Sequence, residues 1–200
     1  MSELLDLEGA LAALLRGEVV AVPTDTVYGL AASLDHEDAI ATLFALKRRP
    51  STVPTPILVH SLEQIATLGV RIDQRGSSLA GAFWPGALTI VVAAPTPLAS
   101  SVRSGTGAVG FRIPNDELLL ELLERSGPLA VTSANEHGDD PCTTAKDVLA
   151  HFTGRPGFAG VLDGGERRGA VSTVVDISKS AWQVVREGAI PLEVLLGYLV

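Results

Sequence analysis

Apolar residues fall along the chain in two alternating rhythms, short β-branched runs and stretches of three- and four-residue spacing. Leu4, Leu7, Leu11, Leu14 and Leu15 follow the second rhythm and predict an amphipathic helix ending near Gly17. Residues 18–22 follow the first, the pattern of a short buried strand. Pro23 stops it, because proline has no N–H for a ladder. Residues 38–47 return to helical spacing through Ile40, Leu43, Phe44 and Leu46. Three prolines between positions 50 and 56 make that stretch a loop. Residues 57–59 read as a second buried strand, and Ser61-Leu62-Glu63-Gln64 has the form of a capping box opening a helix.

Beyond the Trp84-Pro85-Gly86 turn, residues 88–92 and 108–113 predict two further strands, the latter ended by Pro114. Helices are expected at 116–125, 144–151 and 192–196, and strands at 129–132, 160–162, 173–176 and 182–185. Strands that follow one another without an intervening helix (88–113 and 160–185) argue for a mixed sheet rather than a doubly wound parallel one. The fold class expected is therefore α/β: a single domain over residues 1–200, a twisted mixed β-sheet with flanking helices. No repeat, low-complexity tract or linker divides it.

Composition narrows the function. The 200 residues are 46% hydrophobic, which suits a globular core and excludes a disordered chain. A net charge of -8 disfavours general attraction to nucleic acid or an anionic membrane, so strong nucleic-acid binding is not expected and any anion site must be local. No apolar run approaches the ~18 residues of a membrane span. The acidic start, Met1-Ser2-Glu3, lacks the features of a signal peptide. Cys142 is the only cysteine, which fits a reducing compartment and excludes a disulfide within the chain. Cytoplasmic location is the expectation.

Candidate chemistry collects where strands end. Pro23-Thr24-Asp25-Thr26-Val27-Tyr28-Gly29-Leu30 places two hydroxyls and a carboxylate at such an edge, the position where open α/β sheets take ligands. Lys47-Arg48-Arg49 lies at a predicted helix C-terminus, where it serves either the helix dipole or a phosphate chain. Neither a P-loop nor Gly-x-Gly-x-x-Gly is present. Ser133-Ala134-Asn135 follows a strand and suits a turn or a ligand's phosphate. Arg112 sits inside an apolar strand and needs an anionic partner, either a structural carboxylate or a substrate. The four histidines have no metal-ligand spacing, so no protein-bound metal is predicted. Cys142 has no activating neighbour in sequence and reads as inert.

Taken in order, these segments are specific. The chain resembles the YrdC/Sua5 family of L-threonylcarbamoyladenylate synthases, in its short single-domain form, along nearly its whole length. The matching blocks are Pro-Thr-Asp-Thr-Val-Tyr-Gly-Leu, Lys-Arg-Arg-Pro, Ile-Leu-Val-His, Trp-Pro-Gly-Ala-Leu-Thr, Val-Gly-Phe-Arg-Ile-Pro, Thr-Ser-Ala-Asn, Ser-Thr-Val-Val-Asp and Val-Arg-Glu-Gly-Ala-Ile. The resemblance implies a YrdC-like fold with a concave, positively lined ligand cavity. It implies a nucleotidyltransferase reaction in which L-threonine, bicarbonate and ATP give threonylcarbamoyl-AMP and pyrophosphate. That product serves the t6A modification of tRNA position 37 through partner threonylcarbamoyl transferase proteins. Mg²⁺ would accompany ATP. By position, Thr24, His60, Arg112 and Ser172 would hold L-threonine, and Lys47, Arg49, Thr55, Ser133, Asn135, Cys142 and Arg186 would hold ATP. Lys47 and Arg49 would stabilise the charge of the leaving pyrophosphate, with no side chain acting as a covalent nucleophile. Thr55 stands where Asn is common, Cys142 where Ser is usual, and Glu187 where the family pattern has Pro. The alternative is a non-catalytic YrdC-like relative that binds RNA or a nucleotide.

Overall fold

A computed structural model of the chain describes residues 3–48, 54–102, 104–136 and 138–198. Its backbone is one mixed sheet flanked by helices. In chain order the first half runs β1 (Glu3–Leu5), α1 (Leu7–Leu15), β2 (Val19–Val22), β3 (Gly29–Ser33), α2 (Glu37–Leu46), β4 (Ile57–Leu58), α3 (Leu62–Thr67) and α4 (Gln74–Phe83). The second half runs β5 (Leu88–Ala93), α5 (Thr96–Ser101), β6 (Ala108–Arg112), α6 (Glu117–Ser126), β7 (Leu129–Ser133), α7 (Ala145–Phe152), β8 (Phe158–Leu162), β9 (Thr173–Asp176), β10 (Gln183–Arg186) and α8 (Leu192–Leu195).

The spatial order of strands is β1-β8-β2-β3-β7-β4-β6-β5-β9-β10. Parallel pairs (β1 with β8, β2 with β8, β4 with β6, β5 with β9) mix with antiparallel ones such as β3 with β7 and β5 with β6. This is the mixed α/β sheet expected from the sequence.

Side-chain alternation sorts each strand between two faces. On one face Val19, Ala21, Leu30, Ile90, Phe111 and Val175 join the larger core with α2, α4 and α7. On the other, Val20, Val22, Ala31 and Val131 pack beneath Leu14 of α1 and Leu119, Leu122 and Leu123 of α6. Those two helices reach only part of the face. Leu58 and Val131 belong both to this core and to the wall of a cavity, which opens over β4, β6, β5, β9 and β10. The site exists because the helical layer stops halfway across the sheet.

Four elements differ from the sequence expectation: helices α4 and α5, where none is expected, and strands β1 and β3. Residues 3–5 are not the first turn of a helix but strand β1, paired in parallel with Gly160–Leu162. The helix begins only after Asp6, whose carboxylate accepts from Gly9 N at 2.8 Å as an N-cap. Leu4 fits helical spacing by coincidence and is exposed. Strand β3 was not expected at all; its five buried residues, Gly-Leu-Ala-Ala-Ser, have little intrinsic strand preference. The Ser61 cap holds: its hydroxyl accepts from Gln64 N, while the Gln64 side chain accepts from His60 N and donates to Leu123 O.

Candidate functional site

The first wall of the cavity is the turn after β2. Thr24 Oγ1 accepts from Thr26 N and Val27 N at 3.0 and 3.2 Å and lies 2.7 Å from Val27 O, so this hydroxyl largely builds its own loop. Glycine is required at the crossing segment, because a Cβ on Gly169 would lie 2.7 Å from Asp25 O. Arg167 ties that segment down: Nη1 donates to Asp116 Oδ2 at 2.8 Å, and its guanidinium stands over the Tyr28 ring.

Arg112, the last residue of β6, is buried at the centre of this wall. Its Nη2 donates to Asp25 Oδ1 at 2.5 Å, Nη1 to Thr26 Oγ1 at 3.2 Å and Nε to Gly86 O at 2.9 Å. The anionic partner that the sequence required is thus Asp25, 87 residues away. Burial lowers the Arg112 pKa from its ordinary value, and the Asp25 carboxylate opposes that shift.

The opposite wall is β9 with β10. Arg186 donates through Nε and Nη2 to Ser172 O at 3.1 and 2.9 Å, and through Nη2 to Ser172 Oγ at 3.1 Å. Burial lowers the Arg186 pKa, and repulsion from Arg112 lowers it further, so the two guanidiniums feel each other across the cavity. Glu187 is turned away, its carboxylate accepting from Leu192 N at 3.1 Å. Among the described residues Arg186 has no carboxylate partner, whereas Arg112 is neutralised by Asp25.

The cavity measures about 620 Å³, within the usual range for a small-molecule site. Six of the predicted residues line it: Thr24, Thr55, Arg112, Ser133, Ser172 and Arg186. Thr55 is buried, and among the described residues its Oγ1 has no hydrogen-bond partner. His60, which follows β4, is not on the wall; among the described residues its buried Nδ1 is likewise without a partner. Polar atoms buried without a bond are uncommon, and a ligand is one way to satisfy them.

Lys47 and Asn135 stand behind the wall rather than on it. The Lys47 ammonium is buried and donates to Ser133 O at 2.7 Å, Ser133 Oγ at 3.2 Å and Asn135 Oδ1 at 2.8 Å. Asn135 in turn donates to Glu136 O and Asp139 O. Arg48 turns outward to Glu136, which also pairs with Arg155, so this member of the basic triplet leaves the site. Arg49 lies outside the described residues. Cys142 joins the core with its thiol 3.8 Å from His151 Nδ1, and burial pushes its pKa up to about 11. A thiol so protonated is a poor nucleophile.

The sequence leaves two groups of this site without a role. Asp25 stands among the candidates at the end of β2, but no local signal links it to Arg112. Thr89, buried on the cavity wall, lies 3.0 Å from Ser172 through its hydroxyl. Its signal was legible: a lone polar position in the apolar alternation Leu88-Thr89-Ile90.

A mixed sheet that gathers hydroxyls, the buried Thr55 Oγ1 and, among the described residues, an arginine without a carboxylate partner around one cavity has the character of a site for small anionic or zwitterionic molecules. The chain belongs to the Sua5/YciO/YrdC family: the family model Sua5_yciO_yrdC, described as "Telomere recombination", matches residues 12–188. A threonylcarbamoyl-AMP synthase of Pyrococcus abyssi (strain GE5 / Orsay) is 38% identical over 179 residues, 88% of this chain and 52% of that protein. One from Bacillus subtilis (strain 168) is 38% identical over 186 residues, 91% of this chain and 53% of that protein. The crystal structure of P. abyssi Sua5 complexed with L-threonine superposes with a TM-score of 0.90 at 33% identity, covering 99% of this chain and 60% of that one. The chain thus spans about half the length of the curated relatives it matches.

Proposed function

We propose that the protein is a threonylcarbamoyl-AMP synthase, converting L-threonine, bicarbonate and ATP to threonylcarbamoyl-AMP and pyrophosphate. The observation that carries this is Arg186, a cation without a carboxylate partner among the described residues, facing the cavity beside Ser172 and within the field of Arg112. Such a wall has charge to spare for a phosphate, and hydroxyls beside it for an amino acid. Relatives 38% identical to this chain are named threonylcarbamoyl-AMP synthase, and the Sua5 of P. abyssi has been crystallised with L-threonine.

In this reading L-threonine lies between the Thr24 turn, Arg112 and Ser172, with His60 at the margin. Arg112 keeps Asp25 and offers its remaining N–H groups to the substrate carboxylate, so orientation rather than net charge is its contribution. ATP lies along Thr55, Ser133 and Arg186, with Arg49 and Cys142 assigned to it only through family resemblance. Lys47 acts through Ser133 and Asn135, whose acceptors it occupies. The neutral amine attacks the bicarbonate carbon and loses a proton as one bicarbonate oxygen leaves as water, giving a carbamate whose oxygen attacks the α-phosphorus as pyrophosphate departs. No side chain forms a covalent bond, and the cations offset the charge that develops.

Among the described residues no three His, Cys, Asp or Glu side chains cluster as a metal site. Mg²⁺ therefore fits as a companion of the ATP phosphates, which supplies charge compensation there. Transfer of the product to tRNA is assigned to separate threonylcarbamoyl transferase proteins, and a cytoplasmic location follows from that substrate. No helix of the described residues is long and apolar enough to cross a membrane.

The test is product analysis by mass spectrometry after brief incubation with ATP, Mg²⁺, bicarbonate and L-threonine. Threonylcarbamoyl-AMP that requires both threonine and bicarbonate is the expected result. Folded protein that forms none, beside an active reference enzyme, refutes the reading and leaves a non-catalytic nucleotide or RNA binder.

A further inference from the structure

Thr89 sits in the middle of the cavity floor, on β5 between β6 and β9. Its methyl is lodged against β6, where Gly110 leaves the room: a Cβ there would lie 3.0 Å from Thr89 Cγ2. With the methyl held on that side, the hydroxyl is directed to β9, 3.0 Å from Ser172 Oγ. The Ser172 oxygen has one proton and two lone pairs. Arg186 Nη2, which can only donate, takes one lone pair at 3.1 Å. The pair of hydroxyls then has two arrangements. Either Ser172 gives its proton to Thr89, or Thr89 donates into the second lone pair of Ser172 and frees the Ser172 proton for the cavity.

We infer that Thr89 is a positioning residue for the proposed reaction: it donates to Ser172 and so makes the Ser172 hydroxyl a donor toward the carboxylate of L-threonine. An incoming carboxylate selects this arrangement, because it has no proton to give and can only accept. Arg186 reinforces it by polarising the same oxygen. Thr89 thereby acts on the amino acid through Ser172, while its own contact with Arg186 is indirect. The inference rests on the proposed function for the identity of the ligand.

Thr89→Val keeps the shape and the methyl beside Gly110 but removes the proton. The expected result is a threefold to tenfold rise in KM for L-threonine, as for one lost hydrogen bond, with kcat and the KM for ATP within twofold of the parent. Thr89→Ser, which keeps the hydroxyl, restores most of the difference. The same ratios are expected in calorimetric Kd values for L-threonine, and thermal denaturation verifies that both variants fold. An unchanged threonine KM and Kd in a folded Thr89→Val protein overturns the inference, as does a failure of Thr89→Ser to recover. A parent protein that makes product while Thr89→Val behaves normally refutes this role alone. A parent that neither makes product nor binds L-threonine refutes the proposed function and this role with it.

Discussion

The Asp25–Arg112 pair offers a sharp test of how the site is held, because both partners are nearly out of water. Their side chains are 14% and 6% exposed, and the Nη2 to Oδ1 distance is 2.5 Å. Removing one member of a buried pair leaves the other charge uncompensated, at a cost of about 3–5 kcal/mol. Arg112→Met keeps the length of the side chain but strands Asp25 and takes donors from Thr26 Oγ1 and Gly86 O. The residual exposure of Asp25 lets water relieve part of the loss, so the lower end of that range, about 3 kcal/mol, is expected. Asp25→Asn removes the charge from the other side and costs about 2–3 kcal/mol, since Arg112 retains two acceptors. The double variant leaves no unpaired charge and falls short of the sum by about 1–3 kcal/mol. Urea denaturation followed by circular dichroism gives each value by linear extrapolation. Single variants costing under about 1 kcal/mol, or strictly additive costs, would refute the claim that Arg112 is held mainly by Asp25. This pairing also bears on kinetics: Arg112→Ala removes the bonds to Asp25 and Thr26 along with any contact to substrate, so a raised threonine KM in that variant is to be read beside its stability.

Gly188→Ala would set a Cβ 2.1 Å from Val171 O and 2.7 Å from the Ser172 carbonyl carbon, both backbone, so β9 or the Glu187–Ile190 segment must move. Product formation is expected to fall at least tenfold with both substrates' KM raised; activity within twofold of the parent would show that Ser172 and Arg186 tolerate the shift. The Cys142 thiol, with its pKa raised to about 11 against 9.0 for a free thiol, stays protonated in the folded protein after the unfolded chain has ionised. Its stabilising contribution is therefore complete below pH 9 and lost as pH rises to about 11, a fall of up to about 2–3 kcal/mol. Cys142→Ala should flatten that part of the stability curve, and an equal fall in unfolding free energy between about pH 8.5 and 10.5 in parent and variant, each from urea titration, would contradict the assignment.

Legibility followed the range over which each feature is decided. Helices α6 and α7 were visible because their apolar stripes and caps, Asp116 and Thr144, lie within a few residues of one another. Strand β3 was invisible because only its place between β2 and β7 buries Gly29-Leu30-Ala31-Ala32-Ser33; nothing in that sequence prefers a strand. Strand β1 was misread because leucines at 4, 7 and 11 satisfy a helical period, whereas its real partner is more than 150 residues along the chain. In the same way Thr24, Ser133, Ser172 and Arg186 could be placed at strand ends from local pattern and family resemblance. The bonds of Arg112 to Asp25 and of Ser172 to Thr89 needed the fold.

Charge shows the limit most clearly. Three adjacent cations in the sequence drew attention to Lys47-Arg48-Arg49, yet Lys47 is engaged by Ser133 and Asn135 and Arg48 by Glu136. Elsewhere Arg16, Arg75, Arg125, Arg155, Arg167 and Arg168 are matched by nearby carboxylates. A chain with net charge -8 has carboxylates enough to neutralise most of its arginines, and density of cations in the sequence is then a poor guide to anion affinity. What counts is which cation the fold keeps away from every carboxylate. Arg186 is held by the carbonyl and hydroxyl of Ser172, uncharged acceptors that fix its direction without cancelling its charge. Set across the cavity from Arg112, whose charge Asp25 offsets, it is a local cation in an acidic protein, an arrangement that suits a small anion better than a long polyanion.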